Sequence, residues 1–145
     1  MAKALIYNEA DAAFRHAIYQ FIVTRGHIPK LRELDATLSR PKKTLRAGLH
    51  RLAQLHILVL QPQTSQILRA APFWAVPTGF QVQSGKHAWW ASCIWDALAI
   101  PAMLRRDARM SGTRNGGAIL FTLRWQKPRQ KRWGYRPGCS PSTSR

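Results

Sequence analysis

Acidic residues are scarce in this 145-residue chain, which has six Asp and Glu against 23 Lys and Arg. The formal net charge is +17, and no acid follows Asp107. A protein this basic attracts nucleic acid and acidic membrane surfaces without specificity. Much of the excess lies beyond Asp107, towards the C-terminus, so the charge alone does not identify a partner.

Cysteines and long apolar runs are also scarce. Cys93 and Cys139 are too few for a disulfide framework, and no Cys/His cluster has the spacing of a zinc site. No apolar run approaches the roughly 18 residues that a membrane helix needs. Glu9 and Asp11 stand where a signal peptide would continue its apolar stretch. We therefore expect a cytoplasmic protein with no membrane partner.

The N-terminal third carries three apolar patterns with helical spacing. Asn8 is a predicted N-cap of the first helix, with Asp11 in the first turn, and Gly26 ends it. The second helix begins near Pro29. The third covers residues 41–58, with Ser39 as its candidate N-cap.

Two short apolar segments, 58–60 and 67–68, flank a polar turn and predict a small hairpin. Three helices followed by a hairpin form a winged helix-turn-helix, which we predict over residues 1–70. In a DNA-binding module the third helix would enter the major groove, with five exposed side chains available: Lys42, Lys43, Arg46, His50 and Arg51. The alternative is a structural winged helix that never contacts DNA.

Residues 71–124 predict a second unit of hairpin, helix and strand. A linker-like passage at 72–77 precedes alternating segments around Ser84-Gly85, a predicted two-residue turn. The helix should begin between Trp90 and Ser92, and Pro101 should kink or interrupt it. Asn115-Gly116-Gly117 predicts a turn, followed by a strand at 118–123.

Residues 125–145 combine scattered Pro, Gly, Ser and Arg without apolar periodicity. Such a composition cannot bury a core, so we predict a disordered basic tail. The predicted fold class is therefore α+β, in three parts.

Cys93 and Asp96 are three positions apart in the predicted helix, which places them on one face with Cβ atoms about 5–6 Å apart. Trp89, Trp90 and Trp95 crowd around them in the sequence. Without further information, a lone cysteine on an apolar helix is usually a small core residue. An isolated aspartate there is usually a capping or solvated acid, and the tryptophans favour core packing.

The run AVPTGFQVQSGKHAWWASCIWDALAIPAMLRRDARMSG resembles the core of the alkylmercury lyase family. The resemblance rests on Val76-Pro77-Thr78 leading into an aromatic, and on C-x-x-D-x-L-x-x-P-A from Cys93 to Ala102. It extends from near the N-terminus to about Leu123. It implies that residues 71–124 are part of a lyase-type catalytic region.

By resemblance, Cys93 matches the family's first mercury-binding cysteine and Asp96 matches its proton-handling aspartate. A thiolate suits a soft metal, and an acid within reach can protonate the departing carbon. The implied reaction releases a hydrocarbon and Hg(II) from an organomercurial, with external thiols or a mercuric reductase as the acceptor. Mercury is then part of the substrate, and no separate cofactor is implied.

The chain departs from the family pattern in two places. The family's second catalytic cysteine lies in a downstream region that has no counterpart here, and the surroundings of Cys139 do not match it. Arg114 stands where typical members carry a further, non-catalytic cysteine. The resemblance therefore implies a truncated or frame-shifted product with impaired turnover. The alternative function is a winged-helix transcriptional regulator, in which Cys93 senses metals or has no such role.

Overall fold

The computed structural model describes residues 5–113 and 119–126. Its four helices are α1 (Glu9–Arg25), α2 (Leu31–Leu38), α3 (Lys42–Gln54) and α4 (Ile94–Leu104). Its seven strands are β1 (Val59–Leu60), β2 (Ile67–Ala70), β3 (Phe73–Trp74), β4 (Phe80–Ser84), β5 (His87–Ala91), β6 (Ala108–Thr113) and β7 (Ile119–Trp125). Within the described ranges, no helix combines the length and apolarity required to span a membrane.

Helix α1 begins and ends where the sequence predicts. The Asn8 side chain accepts a hydrogen bond from the Asp11 backbone N–H at 2.9 Å, and the Asn8 N–H donates to Asp11 Oδ2 at 3.0 Å. These reciprocal bonds form a capping box that satisfies two backbone donors. Gly26 ends the helix with φ of 82°, a left-handed conformation that glycine adopts without a steric penalty.

The boundaries of α2 and α3 correct the sequence prediction. Ser39 ends α2 in a left-handed conformation, and Pro41 rather than Ser39 occupies the N-cap of α3. Pro29 precedes the N-cap of α2, Lys30, by one position. Helix α3 stops at Gln54, four residues before the predicted end, and His56 follows with φ of 58°. The left-handed residue turns the chain so that it can enter the sheet.

All seven strands belong to one antiparallel sheet with the order β1-β2-β3-β5-β4-β6-β7. Strand β5 lies between β3 and β4, and Ala91 pairs with Phe73 on one side and Phe80 on the other. Helices and antiparallel strands together confirm the α+β class. The order of three helices and a β1–β2 hairpin is as predicted, while the description of residues 1–70 as a winged helix stays a prediction.

Strand β3 replaces the predicted linker at residues 72–77. Phe73 is completely buried, because its ring packs 5.9 Å from the Trp89 ring and 6.3 Å from the Tyr19 ring of α1. Its strand also joins β2 to β5. Strands β2 and β3, on the two sides of the boundary predicted after residue 70, thus pair in one sheet and share one core, while the division into domains stays a prediction.

Helix α4 contacts β4, β5 and β6, and buries Ala97 and Ile100. These side chains recur at helical spacing and join a core that includes Val82 and Met110 from the sheet. A fully buried helix face over three strands fixes the axis of α4. It also fixes the position of the residues at its N-terminus, where Cys93 lies.

Several local predictions in the second half are wrong by a few residues. The β4–β5 turn is Gly85–Lys86 rather than Ser84-Gly85, since Ser84 pairs with His87. Helix α4 begins at Ile94, because pairing on both edges keeps the chain extended to Ala91. Pro101 does not interrupt the helix, which continues to Leu104, and the predicted kink stays a prediction.

The C-terminal predictions are only partly covered by the described residues. Trp125 belongs to β7, where it pairs with Ala108, rather than to a disordered tail. The predicted strand at 118–123 is confirmed in substance as Ile119–Trp125. The predicted turn at 115–117, Arg114 and the remainder of the tail with Cys139 lie outside the described residues.

Candidate functional site

Cys93 occupies the junction between the end of β5 and the start of α4. Its backbone is extended, with φ of −155° and ψ of 176°, and its carbonyl accepts the first helical hydrogen bond, from Ala97 N at 3.0 Å. This geometry makes Cys93 the N-cap residue, although its side chain caps no backbone N–H. The thiol is half-buried and unpaired. It therefore lies at the positive end of the helix dipole.

Asp96 is the third residue of α4, in its first turn. Its Oδ2 accepts a hydrogen bond from the Ser92 hydroxyl, four positions earlier. The carboxyl group is half-buried, while Ser92 is exposed. Cys93 and Asp96 thus stand at the N-cap and N3 positions of the same turn, which the sequence placed inside the helix. Ser92 is a residue that sequence reasoning missed, although its spacing from Asp96 is a helix-neighbour spacing.

Thr78 fixes the backbone on which this junction is built. Its Oγ1 accepts a hydrogen bond from the Phe80 N–H at 3.1 Å and donates to the Ala91 carbonyl at 2.5 Å. The threonine therefore ties the start of β4 to the end of β5, two residues before Cys93. One hydroxyl is enough for both bonds because it can accept and donate at once.

Gly79 allows the same loop to approach β6. Its carbonyl accepts a hydrogen bond from Thr113 N at 2.7 Å, and a Cβ on Gly79 would lie 2.8 Å from the Thr113 carbonyl oxygen. A side chain is excluded by that contact with backbone. Thr78 and Gly79 thus hold together β4, β5 and β6 beside the candidate site.

The three neighbouring tryptophans have different environments. Trp89 is a core residue with 3% exposure, and its indole N–H donates to the Ile22 carbonyl of α1 at 3.1 Å. Trp90 is half-buried beside its cross-strand partner Trp74. Trp95 is 77% exposed, so the predicted crowding of all three around Cys93 is wrong. Adjacent positions on a strand face opposite sides of the sheet, which separates Trp89 from Trp90.

His87 is half-buried rather than an exposed strand residue. Its ring lies 5.7 Å from the Trp89 ring, and a Cβ at Gly26 would meet its Nδ1 at 2.5 Å. The histidine therefore packs between β5 and the end of α1. Among the described residues, no group of three or more His, Cys, Asp and Glu could hold a metal ion.

The candidate DNA-binding residues divide into two groups. Lys42, Lys43 and Arg46 are exposed on α3, as predicted. Arg51 is not free: its Nε donates to Asp11 Oδ1 at 2.7 Å, and one terminal nitrogen donates to Asp11 Oδ2 at 2.9 Å. The arginine therefore links α3 to α1 and is not freely exposed as predicted, while its role in DNA binding stays a prediction.

This ion pair also determines the charge state of its carboxylate. The hydrogen bond from Arg51 holds the pKa of Asp11 below its usual 3.8, and Asp11 in turn raises the pKa of Arg51. Asp11 is buried by 95%, and burial alone would act in the opposite direction. A paired, hydrogen-bonded carboxylate remains ionised despite that burial.

Comparison with known proteins identifies the segment that carries the junction. Residues 73–127 match the family model of alkylmercury lyase, MerB. The fold is similar to the crystal structure of the mercury-bound form of MerB2, with a TM-score of 0.61 and 18% sequence identity. That similarity covers 83% of this chain and 57% of the MerB2 chain, so this chain spans little more than half of its length. No curated protein matches the sequence.

Proposed function

We propose that this chain cleaves carbon–mercury bonds of organomercurials at Cys93 and Asp96, because residues 73–127 match the family model of alkylmercury lyase. The observation that carries the proposal is the unpaired thiol at the N-cap of α4, one turn from a carboxyl group, within the matched segment. The fold similarity to a mercury-bound protein of the same family supports it.

The first step of the proposed reaction is capture of the metal by sulfur. The Cys93 thiolate forms a bond to the mercury of an organomercurial cation, because soft metals prefer thiolate ligands. The organic group is then held beside the first turn of the helix.

The second step is protonolysis. Protonated Asp96 delivers its proton to the carbon bound to mercury, a carbon–hydrogen bond forms, and the carbon–mercury bond breaks. The electron pair of that bond stays with the carbon, so Hg(II) remains on the sulfur and no redox change occurs. An external thiol then displaces Cys93 from the metal, and the proton that this thiol gives up returns to Asp96, which regenerates both groups of the site. A mercuric reductase is a further proposed acceptor.

Cys93 is the one cysteine within the described residues. The proposed cycle therefore uses an external thiol where a second protein thiolate would otherwise complete the coordination of mercury. We expect slow turnover that depends on the concentration of added thiol. The family match favours this enzyme over the winged-helix regulator.

The test uses phenylmercuric acetate as the substrate, with excess cysteine as the external thiol. The amount of benzene released is measured by gas chromatography. Cys93→Ser and Asp96→Ala should each abolish benzene release. Cys139→Ser is the matched control, because it removes a thiol outside the matched segment, and it should retain release. Release that survives Cys93→Ser but is lost in Cys139→Ser would overturn the assignment.

A further inference from the structure

A basic cleft lies between α2, the N-terminus of α3 and the start of β2, away from Cys93. It has a volume of about 330 Å³ and is lined by six residues: Lys30, Leu31, Arg32, Lys42, Arg46 and Gln66. Four of the six are cations, and none is acidic. Sequence reasoning found the two on α3 but missed Lys30 and Arg32, which only the packing of α2 against α3 brings to the same place.

The cations of this cleft have no ion-pair partner among the described residues. The two ion pairs in that part of the chain join Arg51 to Asp11 and His27 to Glu33. Glu33 is adjacent to Arg32 in sequence, but its carboxylate accepts from the Lys30 backbone N–H at 2.7 Å and contacts His27 at 3.0 Å. Arg32 helps to lower the pKa of Glu33, so it has one carboxylate nearby, but no acid lines the cleft itself. The four positive charges therefore lie together without a carboxylate among them.

The N-terminus of α3 adds to the positive potential of the cleft. Helix α3 begins at Lys42, behind Pro41, which provides no side-chain cap, and its first turn contains no acid. Its free backbone N–H groups and the helix dipole favour an anion at this end. Arg46, one turn further along, lines the same cleft.

The basic cleft continues into a larger groove between α3 and the β1–β2 hairpin. This groove has a volume of about 1010 Å³ and shares Leu31, Arg46 and Gln66 with the cleft. Two of its lining residues, His50 and Ser65, are hydrogen-bonded to each other at 3.2 Å, and its lining is again free of acids. An extended groove with cations at one end suits a chain of phosphates better than one small anion.

We propose that this cleft binds the phosphate backbone of duplex nucleic acid, without reading base sequence. Lys30, Arg32, Lys42 and Arg46 supply the cations, and the amides at the N-terminus of α3 contribute oriented donors. Arginine and lysine contacts to phosphate release condensed counterions, which makes such binding strongly dependent on salt. This activity is separate from the proposed lyase site and does not depend on Cys93.

The test measures binding of the full chain to a fluorescein-labelled mixed-sequence duplex of 20 base pairs. Fluorescence anisotropy is recorded between 50 and 200 mM KCl for the wild type, Arg32→Ala/Arg46→Ala, and the control Lys86→Ala/Arg106→Ala. Both double variants remove two exposed cations, so their net charges are equal. The basic residues beyond Trp125 are the same in all three proteins and cancel in the comparison.

Loss of two phosphate contacts should reduce the slope of log affinity against log salt by about 1.8. The ratio of the wild-type affinity to the affinity of Arg32→Ala/Arg46→Ala should then fall by about tenfold between 50 and 200 mM KCl. The control should keep a slope close to wild type, and an unrelated duplex of equal length should bind equally well. Equal slopes for the two double variants would overturn the proposal. The proposal would also be overturned if Arg32→Ala/Arg46→Ala lost binding to phosphatidylserine vesicles but kept its binding to the duplex.

Discussion

Cys93 and Asp96 stand at the N-cap and N3 positions of α4, the same spacing at which Asn8 and Asp11 form the capping box of α1. The two turns use that spacing differently. Asn8 and Asp11 are bonded to each other's backbone, whereas the Cys93 side chain caps nothing and Asp96 accepts from Ser92. A position that usually stabilises a helix therefore carries a thiol without a capping bond in α4.

Ser92 is expected to position the Asp96 carboxyl group. Ser92→Ala removes the hydroxyl donor and should lower benzene release by about fivefold, the effect of losing one hydrogen bond of about 1 kcal/mol. Ser92→Thr keeps a hydroxyl and should stay within about twofold of wild type. The measurement is the initial rate at several pH values, since a positioning role should also change the pH profile. Equal rates and identical profiles for the alanine and threonine variants would exclude the role.

Gly79 is expected to be intolerant of any side chain. Gly79→Ala places a methyl group 2.8 Å from the Thr113 carbonyl oxygen, so the loop or β6 must shift. We expect a loss of about 1–3 kcal/mol in the free energy of unfolding, the usual cost of overpacking. The measurement is urea denaturation followed by tryptophan fluorescence.

The matched control for that loss is Gly85→Asn in the β4–β5 turn. Gly85 has φ of 58° with open space around it, and asparagine tolerates this conformation. A stability close to wild type is expected. Equal losses at both glycines would show that the contact with Thr113 is not the cause.

The effect of Phe73→Ala on the free energy of unfolding tests whether residues 73–74 form a core strand or a linker. Phe73→Ala should cost about 3–5 kcal/mol, because a completely buried aromatic leaves a cavity. Trp95→Ala provides the comparison: that ring is 77% exposed, and its loss should change stability by no more than about 0.5 kcal/mol. Chemical denaturation of the two variants distinguishes the possibilities, since a linker phenylalanine would behave like Trp95.

The Asp11–Arg51 pair predicts a pH dependence of stability. The pKa of Asp11 is lowered in the folded protein, so its contribution is complete above the unfolded value near 3.8 and is lost as the pH falls through the folded value. Asp11→Asn should therefore be less stable than wild type at pH 7. The difference should shrink progressively below pH 3.8.

Urea midpoints at pH 7, 5 and 3 measure this effect. Glu9→Gln is the control, because Glu9 is an exposed acid on the same helix. It should shift the midpoint little at any of the three pH values. A constant deficit of Asp11→Asn down to pH 3 would contradict the role of the ion pair.

Local signals in the sequence predicted the elements that depend on local chemistry. The N-cap at Asn8, the helix end at Gly26 and the apolar pattern of α3 are short-range features, and all three are confirmed. The family resemblance carried by the pattern from Cys93 to Ala102 is also confirmed. Side-chain roles for Cys93 and Asp96 stay predictions, since they concern a reaction rather than a fold.

Long-range pairing determined what the sequence could not show. Phe73 looked like part of a linker because two residues show no periodicity, and β2 and β5 are needed to make them a strand. Arg51 looked exposed on a helical wheel, but its partner is 40 positions away on α1. Trp95 looked buried because it is apolar, although α4 turns it to solvent.

The pairing of β3 with β2 has a consequence for any attempt to prepare the family-matched region by itself. A peptide covering residues 73–127 would retain the thiol and the carboxyl group but lose α1 and β2, which shield Phe73 and occupy one edge of its strand. The bared edge and aromatic surface would invite association between copies. Helix α1 and strand β2 therefore cover surface that would otherwise promote aggregation of the segment that carries Cys93.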